Sequence, residues 1–189
     1  MEHSDSDLLS RYKGGDVNAL SELVEKYRRP LFAYMLGMTE KGGDVDELFQ
    51  EVWLRVIRKL HAYKQRSFYG WLIRIAHNLI IDRARRCKPD YSLDAHTKDE
   101  GLPLAEKIPD GHADAAALAA DGDLGKRIAA AVSELPMAQR EVFLMRAHSG
   151  LSFKEIASIQ KVSINTALAR MQYALAKLRT LLESEYHEL

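Results

Sequence analysis

Apolar residues recur at intervals of three and four along almost the whole chain, which is the spacing of one face of an α-helix. The clearest case is "DVDELFQEVWLRVIRKL", residues 44–60, where an apolar face lies opposite a face of charged side chains. No stretch shows the period-two alternation that predicts a half-buried β-strand. The sequence therefore predicts an all-α fold.

The helical pattern is interrupted once, between Pro89 and Asp123. This segment contains three prolines and three glycines, and it has few large apolar residues. We therefore expect two small helical domains, residues 1–88 and 124–189, joined by a linker over residues 89–123.

Charge is distributed unevenly between these three parts, although the whole chain has no net charge. Residues 1–88 carry 16 basic and 12 acidic residues and so have a charge of +4, residues 89–123 carry 2 and 9 for −7, and residues 124–189 carry 9 and 6 for +3. The linker is therefore acidic. A polyanionic partner is expected to bind the two ends of the chain and not its middle.

Several classes of protein are disfavoured. No run of 18 apolar residues is present, and the beginning of the chain is acidic and polar, unlike a secretory signal. We expect a cytoplasmic protein that is not itself membrane-embedded. A single cysteine, Cys87, forms neither an intrachain disulfide nor a cysteine-based zinc cluster, and the histidines share no ligand spacing. No metal and no cofactor are predicted.

An acidic group near residue 45 raises the possibility of catalysis. Asp44, Asp46, Glu47 and Glu51 have the oxygen ligands of a magnesium-dependent nuclease. Acids in the first turn of a helix also interact favourably with the helix dipole, which is the simpler explanation. Since no nucleophile or phosphate-binding loop accompanies them, we predict no enzyme activity and no catalytic residues.

The C-terminal part contains the spacing of a helix-turn-helix. Ser152 and Glu155 fit a capping box that begins a short helix, and Ser163 is placed to cap a second helix after a turn of three or four residues. The second helix has an apolar seam predicted to be buried. Its members are Ile164, Leu168, Met171, Leu175, Leu178 and Leu182.

The other face of this second helix has the residue types of a DNA reader. Asn165, Thr166, Ala169, Arg170 and Tyr173 are predicted to face outward, and asparagine and arginine match adenine and guanine edges in the major groove. In the turn, Lys161 and Ser163 are candidates for phosphate contacts. A helical hairpin with a merely solvated outer face has the same spacing, so the pattern alone leaves both interpretations open.

A second candidate surface is "RSFYGWLIRIAHNLIIDRARR", residues 66–86. From Arg66 to Lys88 six basic residues oppose one aspartate. The side chains off its apolar stripe are predicted to follow a phosphate backbone. They are Arg66, Arg74, His77, Asn78 and Arg85. Phe68 and Trp71 could stack on unpaired bases, although rings at such positions more often belong to a core.

Three motifs in this order resemble a bacterial sigma factor of the extracytoplasmic-function group, in the sigma-70 family. They are "DVDELFQEVWLRVIRKL", then "FYGWLIRIAHNLIIDRARR", and after the acidic linker "LPMAQREVFLMRAHSGLSFKEIASIQKVSINTALARMQYALAKLR". The resemblance implies a non-catalytic protein that binds core RNA polymerase and promoter DNA. It also implies control by an anti-sigma factor.

The resemblance assigns roles to particular positions. Residues 1–88 would correspond to sigma region 2, which binds the polymerase clamp and opens the minus-ten element, and residues 124–189 to region 4, which reads the minus-thirty-five element. The polymerase-binding positions are Asp46, Gln50, Glu51 and Arg55. The minus-ten positions are Arg66, Phe68, Trp71, Arg74, Asn78 and Arg85, and residues 63–69 fall on the loop that captures a flipped base. The minus-thirty-five positions are Lys161, Ser163, Asn165, Thr166, Ala169 and Arg170.

The chain departs from the family pattern in the second domain. The family usually has glycine where Lys161 stands, and a basic residue is common where Leu168 stands. The turn must therefore either avoid a left-handed residue or accept strain of about 1 kcal/mol. We also expect weak DNA binding by this domain alone. A duplex-binding regulator that acts without polymerase is the alternative, and the aromatic and basic segment at 66–88 favours the sigma factor over it.

Overall fold

The computed structural model describes residues 3–39, 44–64, 67–87 and 123–186, without the side chains of residues 87 and 184–186. All regular structure in these ranges is helical, which confirms the all-α prediction. Arg66, the thiol of Cys87 and nearly all of the predicted linker lie outside this description. The chain divides into two compact units, residues 1–80 and 81–189.

The first unit is built from four α-helices and one short 3₁₀ helix. The α-helices are α1 (Asp5–Lys13), α2 (Val17–Met38), α3 (Val45–Lys59) and α4 (Phe68–Cys87), and the 3₁₀ helix is Leu60–Ala62. The unit boundary at residue 80 falls within α4. Side-chain caps begin these helices: Ser4, Asp16 and Asp44 each accept a hydrogen bond from a first-turn amide. Ser67 does the same for α4 through the amide of Gly70.

Helix α2 continues through Pro30. Helix α1 packs against α2. The Asp5 carboxylate accepts hydrogen bonds from the Lys26 ammonium at 2.7 Å and from the Tyr27 hydroxyl at 2.5 Å. Burial, followed by this carboxylate, raises the pKa of Tyr27 far above its ordinary value, so the hydroxyl remains a donor. These contacts fix α1 on the edge of the first core.

Aromatic rings dominate the core of the first unit. Phe68, at the start of α4, is 1% exposed and lies within 6.5 Å, centroid to centroid, of four other rings. We call Phe68 and these four rings the ring cluster. The other four are Tyr27, Trp53, Tyr63 and Trp71. Each such pair adds about 0.5–1.5 kcal/mol beyond the area it buries.

The second unit contains four described helices besides the end of α4. They are α5 (Asp123–Ser133), α6 (Met137–Ser149), α7 (Phe153–Gln160) and α8 (Ile164–Tyr186). The long helix α8 packs against the other three. Lys177 on α8 donates to the carbonyl of Glu134 at 2.8 Å, and Arg140 on α6 donates to the carbonyl of Leu135 at 3.1 Å. Basic side chains thus satisfy backbone carbonyls in the connection that follows α5.

Helices α7 and α8 form the predicted helix-turn-helix. The Ser152 hydroxyl accepts from the Glu155 amide while the Glu155 carboxylate accepts from the Ser152 amide, so the predicted capping box is confirmed. In the turn, Lys161 has φ 58° and ψ 41°, the left-handed conformation. Among the residues that the structure describes it is the one non-glycine with positive φ. The turn therefore accepts the strain instead of avoiding it.

The buried seam of α8 differs from the predicted one. Ile164 and Leu175 are 45% and 40% exposed, while Ala167 and Ala174 are fully buried. The observed seam keeps the three-four spacing but is rotated about the helix axis. It consists of Ala167, Arg170, Met171, Ala174 and Leu178. The predicted seam was chosen by large apolar residues, whereas the buried face is centred on Ala167 and Ala174, whose small side chains let neighbouring helices approach closely.

Candidate polymerase and nucleic-acid interfaces

The outer face of α3 carries the predicted polymerase-binding residues. Asp46 and Gln50 are exposed, and Glu51 accepts a hydrogen bond from Arg55 at 2.7 Å with both side chains about one-third exposed. Leu54 follows Gln50 by one turn and is 54% exposed. The face therefore combines polar groups with an apolar centre. Leu54 was not among the predicted positions, although an apolar residue one turn beyond Gln50 can be seen in the sequence.

The acidic group at the start of α3 is engaged in helix contacts. Asp44 accepts from the amide of Glu47 at 2.9 Å, and Glu51 is paired with Arg55. No cluster of three potential ligands suited to a metal ion occurs among the described residues. The geometry fits a helix-capping and dipole role for these acids.

Phe68 and Trp71, predicted as candidates for DNA contact, are both buried in the ring cluster at 1% and 9% exposure. Because both rings are buried in this conformation, they support the surface around Tyr63 from within the ring cluster. Tyr63 is the half-buried member of the cluster, with its ring 4.9 Å from Trp71 and 5.6 Å from Phe68. Burial is the main cause that raises the pKa of Tyr63 to about 12. Its hydroxyl is therefore protonated at neutral pH and can donate a hydrogen bond.

A pocket of about 350 Å³ opens beside Tyr63. Tyr63 and Trp71 supply its aromatic lining, and Lys59 and Lys64, both exposed, supply its cations. Ala62 completes the wall. The pocket thus offers ring faces and positive charge together, which are the features that bind an unpaired nucleotide.

Three predicted DNA-contacting residues of α4 share one helix face. Arg74, Asn78 and Arg85 are spaced by four and seven residues, which places them in line along the helix. Asn78 and Arg85 are exposed and Arg74 is partly exposed. His77 was expected beside them, but it is 6% exposed. That expectation is wrong because position 77 turns toward the core.

The predicted recognition residues of α8 separate into two groups. Lys161, Ser163 and Asn165 are exposed, and Thr166 and Ala169 are partly exposed. The Ser163 hydroxyl accepts from the Thr166 amide at 3.0 Å and so caps the helix. Arg170 does not face outward as predicted, since it is 7% exposed.

Arg170 is held in a buried polar network that joins α6, α7 and α8. Its guanidinium donates to the side-chain oxygen of Gln160 at 2.9 Å, and the Gln160 amide donates to Glu141, which is 2% exposed. Gln160 also donates to the carbonyl of Ala138 at 3.2 Å. We call Glu141, Gln160 and Arg170 the polar triad. Arg170 was mistaken for a surface residue because sequence periodicity does not reveal its buried partners.

Comparison with known proteins assigns both halves of the chain. Residues 23–88 match the sigma-70 region 2 family, and residues 125–178 match the sigma-70 region 4 family. The chain is 30% identical over 174 residues to the extracytoplasmic-function sigma factor SigW of Bacillus subtilis, covering 90% of this chain and 92% of SigW. The chain belongs to the extracytoplasmic-function group of the sigma-70 family.

Two further comparisons agree with this assignment. The sigma factor SigK of Mycobacterium tuberculosis is 27% identical over 95% of both chains. A solved structure of the sigma factor RpoE from Bartonella quintana, in complex with the anti-sigma factor NepR, has a TM-score of 0.67 at 20% identity, covering 88% of this chain and 98% of that one. The latter likeness establishes the shared fold.

Family membership decides between the functional classes left open by the motifs. As a sigma factor, the protein binds core RNA polymerase and promoter DNA to initiate transcription, and it is neither a nuclease nor a regulator independent of polymerase. The outer face of α3 and the pocket both lie within the region 2 match, and the region 4 match covers α7, the turn and α8 as far as Leu178. None of the described helices is long and apolar enough to cross a membrane.

Proposed function

We propose that this sigma factor binds the polymerase clamp through α3, captures an unpaired minus-ten base beside Tyr63, and reads the minus-thirty-five element with α8. In domain terms, residues 1–88 act as region 2, residues 89–123 as an acidic linker and residues 124–189 as region 4. The observation that carries the proposal is the pocket that Tyr63 and Trp71 line together with Lys59 and Lys64.

The clamp-binding surface consists of the outer face of α3. Asp46, Gln50, Glu51 and Arg55 provide polar contacts around the exposed side chain of Leu54. A polar rim around an apolar centre is the usual construction of a protein interface. The Glu51–Arg55 pair, joined at 2.7 Å, presents its charges in a fixed arrangement to the partner.

The minus-ten surface combines the pocket with one face of α4. A volume of about 350 Å³ is at the small end of ligand sites and suits a single base. The Tyr63 ring supplies a stacking face and contacts both Phe68 and Trp71, and Trp71 also lines the pocket. Arg74, Asn78 and Arg85 follow the strand backbone along α4, and Arg66 is assigned to the same surface from its position in the sequence.

The minus-thirty-five surface begins at the turn between α7 and α8. Lys161 and Ser163 lie at the N-terminus of α8, where cations, hydroxyls and free amides bind phosphate. Asn165, Thr166 and Ala169 follow on the outer side of the helix. Arg170 supports this surface from within through the polar triad.

Regulation by an anti-sigma factor completes the proposal. Two structures of similar fold contain a sigma factor with a partner: RpoE with NepR, and CnrH with the cytosolic domain of CnrY, the latter at TM-score 0.61 and 24% identity over 94% of this chain and 96% of CnrH. We infer that this protein acts in the cytoplasm, held by a partner of this class until a signal releases it. The acidic linker suits a basic channel of the polymerase.

Run-off transcription with core polymerase and the cognate upstream DNA tests the proposal. Tyr63→Ala is expected to lower transcription from duplex promoters by about 5- to 140-fold, the factor that corresponds to the loss of one stacked base. Tyr63→Phe keeps the ring and should retain activity near wild type. On a template with an unpaired minus-ten segment, the wild type should still outperform Tyr63→Ala, because the lost contact is to an already open strand.

A matched pair of lysines provides the control. Lys64→Ala should weaken open complexes, whereas Lys126→Ala, which is exposed on α5 and does not line the pocket, should not. Equal activity of Tyr63→Ala and wild type on both templates would remove the pocket from the mechanism. Absence of promoter-dependent transcripts with the wild type across a genomic library would contradict the assignment of these surfaces as a whole.

A further inference from the structure

The outward stripe of α8 has an unusual composition for a surface that meets DNA. Asn165, Leu168, Ala169 and Gln172 are spaced i, i+3, i+4 and i+7, so they lie in line on one helix face. The stripe lies off the buried seam: Asn165 is exposed, and Leu168, Ala169 and Gln172 are partly exposed. We call these four residues the reading stripe.

The reading stripe contains two amides and no charge. From Ile164 to Ala176 the sequence has a single basic residue, Arg170, and the structure buries it against Gln160. A bidentate guanidinium contact, the commonest way to read guanine in the major groove, is therefore absent from this helix face. The exposed cations Lys154 and Lys161 lie before α8, at positions suited to phosphates and not to base edges.

Both amides are available for pairing with bases. Asn165 is exposed and Gln172 partly exposed, and neither side chain has a hydrogen-bond partner within the part of the chain that the structure describes. Asparagine and glutamine form bidentate hydrogen bonds with adenine through its N6 and N7 atoms. Leu168 and Ala169, between them, offer methyl groups of the kind that contact the thymine C5-methyl.

The spacing of the amides sets the length of the site. Seven residues of helix rise about 10 Å, which matches about three base-pair steps of about 3.4 Å each. We propose that Asn165 and Gln172 each read an adenine, about three base pairs apart, with Leu168 against a thymine methyl group between them. The domain is thus a reader of a short A·T run. This inference rests on the proposed role of α8 at the minus-thirty-five element and adds its base preference and the residue Gln172.

The test uses the complete sigma factor with core polymerase. A promoter pool with a randomised minus-thirty-five segment and a fixed minus-ten segment is transcribed, and the transcribed templates are sequenced. We expect A·T enrichment at two positions about three base pairs apart. Gln172→Ala should lower the enrichment of A·T at one of these positions, and Asn165→Ala should lower it at the other. The expected decrease is about 5- to 140-fold, which corresponds to the loss of one bidentate contact.

A switch variant and a matched control sharpen the result. Gln172→Arg should change the preferred base from adenine to guanine at the position that Gln172→Ala flattens. Thr180→Ala, exposed on the same helix but two turns beyond Gln172, should leave every preference unchanged. Thermal unfolding of each variant near the wild-type Tm verifies that the fold is retained.

Three outcomes would overturn the inference: G·C enrichment at these positions, no preference at all, or preferences that survive both alanine variants. In each of them the wild type still makes promoter-dependent transcripts, so the proposed function stands while the base preference fails. If the wild type makes no such transcripts from any template, the proposed function fails and the inference falls with it.

Discussion

The ring cluster and the polar triad both support a proposed DNA surface, but they do so by different physical means. The ring cluster places Tyr63 through contacts among side chains that have no strict directional requirement, with centroid distances from 4.9 to 6.5 Å. The polar triad places α8 through hydrogen bonds of defined direction, such as the 2.9 Å contact between Arg170 and Gln160. We therefore expect the ring cluster to contribute mainly to the stability of its unit, and the polar triad to contribute mainly to the orientation of α8.

The largest effect is expected from the ring cluster. Phe68→Ala removes the ring that contacts Tyr27, Trp53, Tyr63 and Trp71, and it should lower the free energy of unfolding by about 3–5 kcal/mol. Urea unfolding followed by circular dichroism measures the loss. Phe68→Leu, which leaves a smaller cavity, should lose less. A loss below about 1 kcal/mol for the alanine variant would mean that the cluster collapses around the gap.

The polar triad should respond to single and combined changes in opposite ways. Gln160→Leu removes the amide that joins Arg170 to Glu141 and should cost about 1–3 kcal/mol. Replacing all three residues with apolar ones, Glu141→Leu, Gln160→Leu and Arg170→Met, should recover most of that loss, because neither charge of the triad is then left buried without the other.

Stability and promoter selectivity, measured on the same variants, together test whether the polar triad serves orientation and the ring cluster serves stability. If the triple variant is stable but loses promoter selectivity in run-off transcription, the triad serves orientation more than stability. Retention of full selectivity by the triple variant would contradict the role assigned to the triad. The corresponding ring-cluster variant, Phe68→Leu, should change stability and activity together.

A smaller, stabilising effect is expected at the turn. Lys161 has φ 58°, which glycine adopts without steric cost, so Lys161→Gly should raise the free energy of unfolding by about 0.5–1 kcal/mol. The same change removes a cation next to the proposed phosphate site. Greater stability combined with weaker transcription at high salt is the expected result, and Lys154→Ala, outside the strained turn, should weaken transcription without the gain in stability.

The smallest effect concerns pH and should appear in the second unit. Burial lowers the pKa of His148 below its ordinary value of 6.5. The unfolded chain therefore takes up the proton first as pH falls through 6.5, so stability is lost below that pH and unaffected above it. Hydrogen exchange of α6 at pH 7 and pH 5.5 measures this, and His148→Gln should reduce the difference. If the stability of the His148→Gln variant depends on pH as strongly as that of the wild type, other groups cause the dependence.

The sequence predicted the helical fold, the capping box of Ser152 and Glu155, the Ser163 cap and the helix-turn-helix well, because these depend on local spacing. Ser152 and Glu155, for example, are three residues apart and need no distant partner. The orientation of α8 and the burial of Arg170 were predicted wrongly, since they depend on Glu141 and Gln160 in other helices. The pocket beside Tyr63 likewise needs Lys59 and Trp71 from two different helices.

The composition of the ring cluster has an optical consequence. The chain contains two tryptophans, Trp53 and Trp71, and both belong to this cluster, so the tryptophan fluorescence of the protein originates from one place in the molecule. Trp71 also lines the pocket where we propose that a base is captured. A base entering the pocket would quench this emission by contact. The unlabelled protein therefore contains its own reporter of strand capture, which would allow promoter opening to be timed without an attached dye.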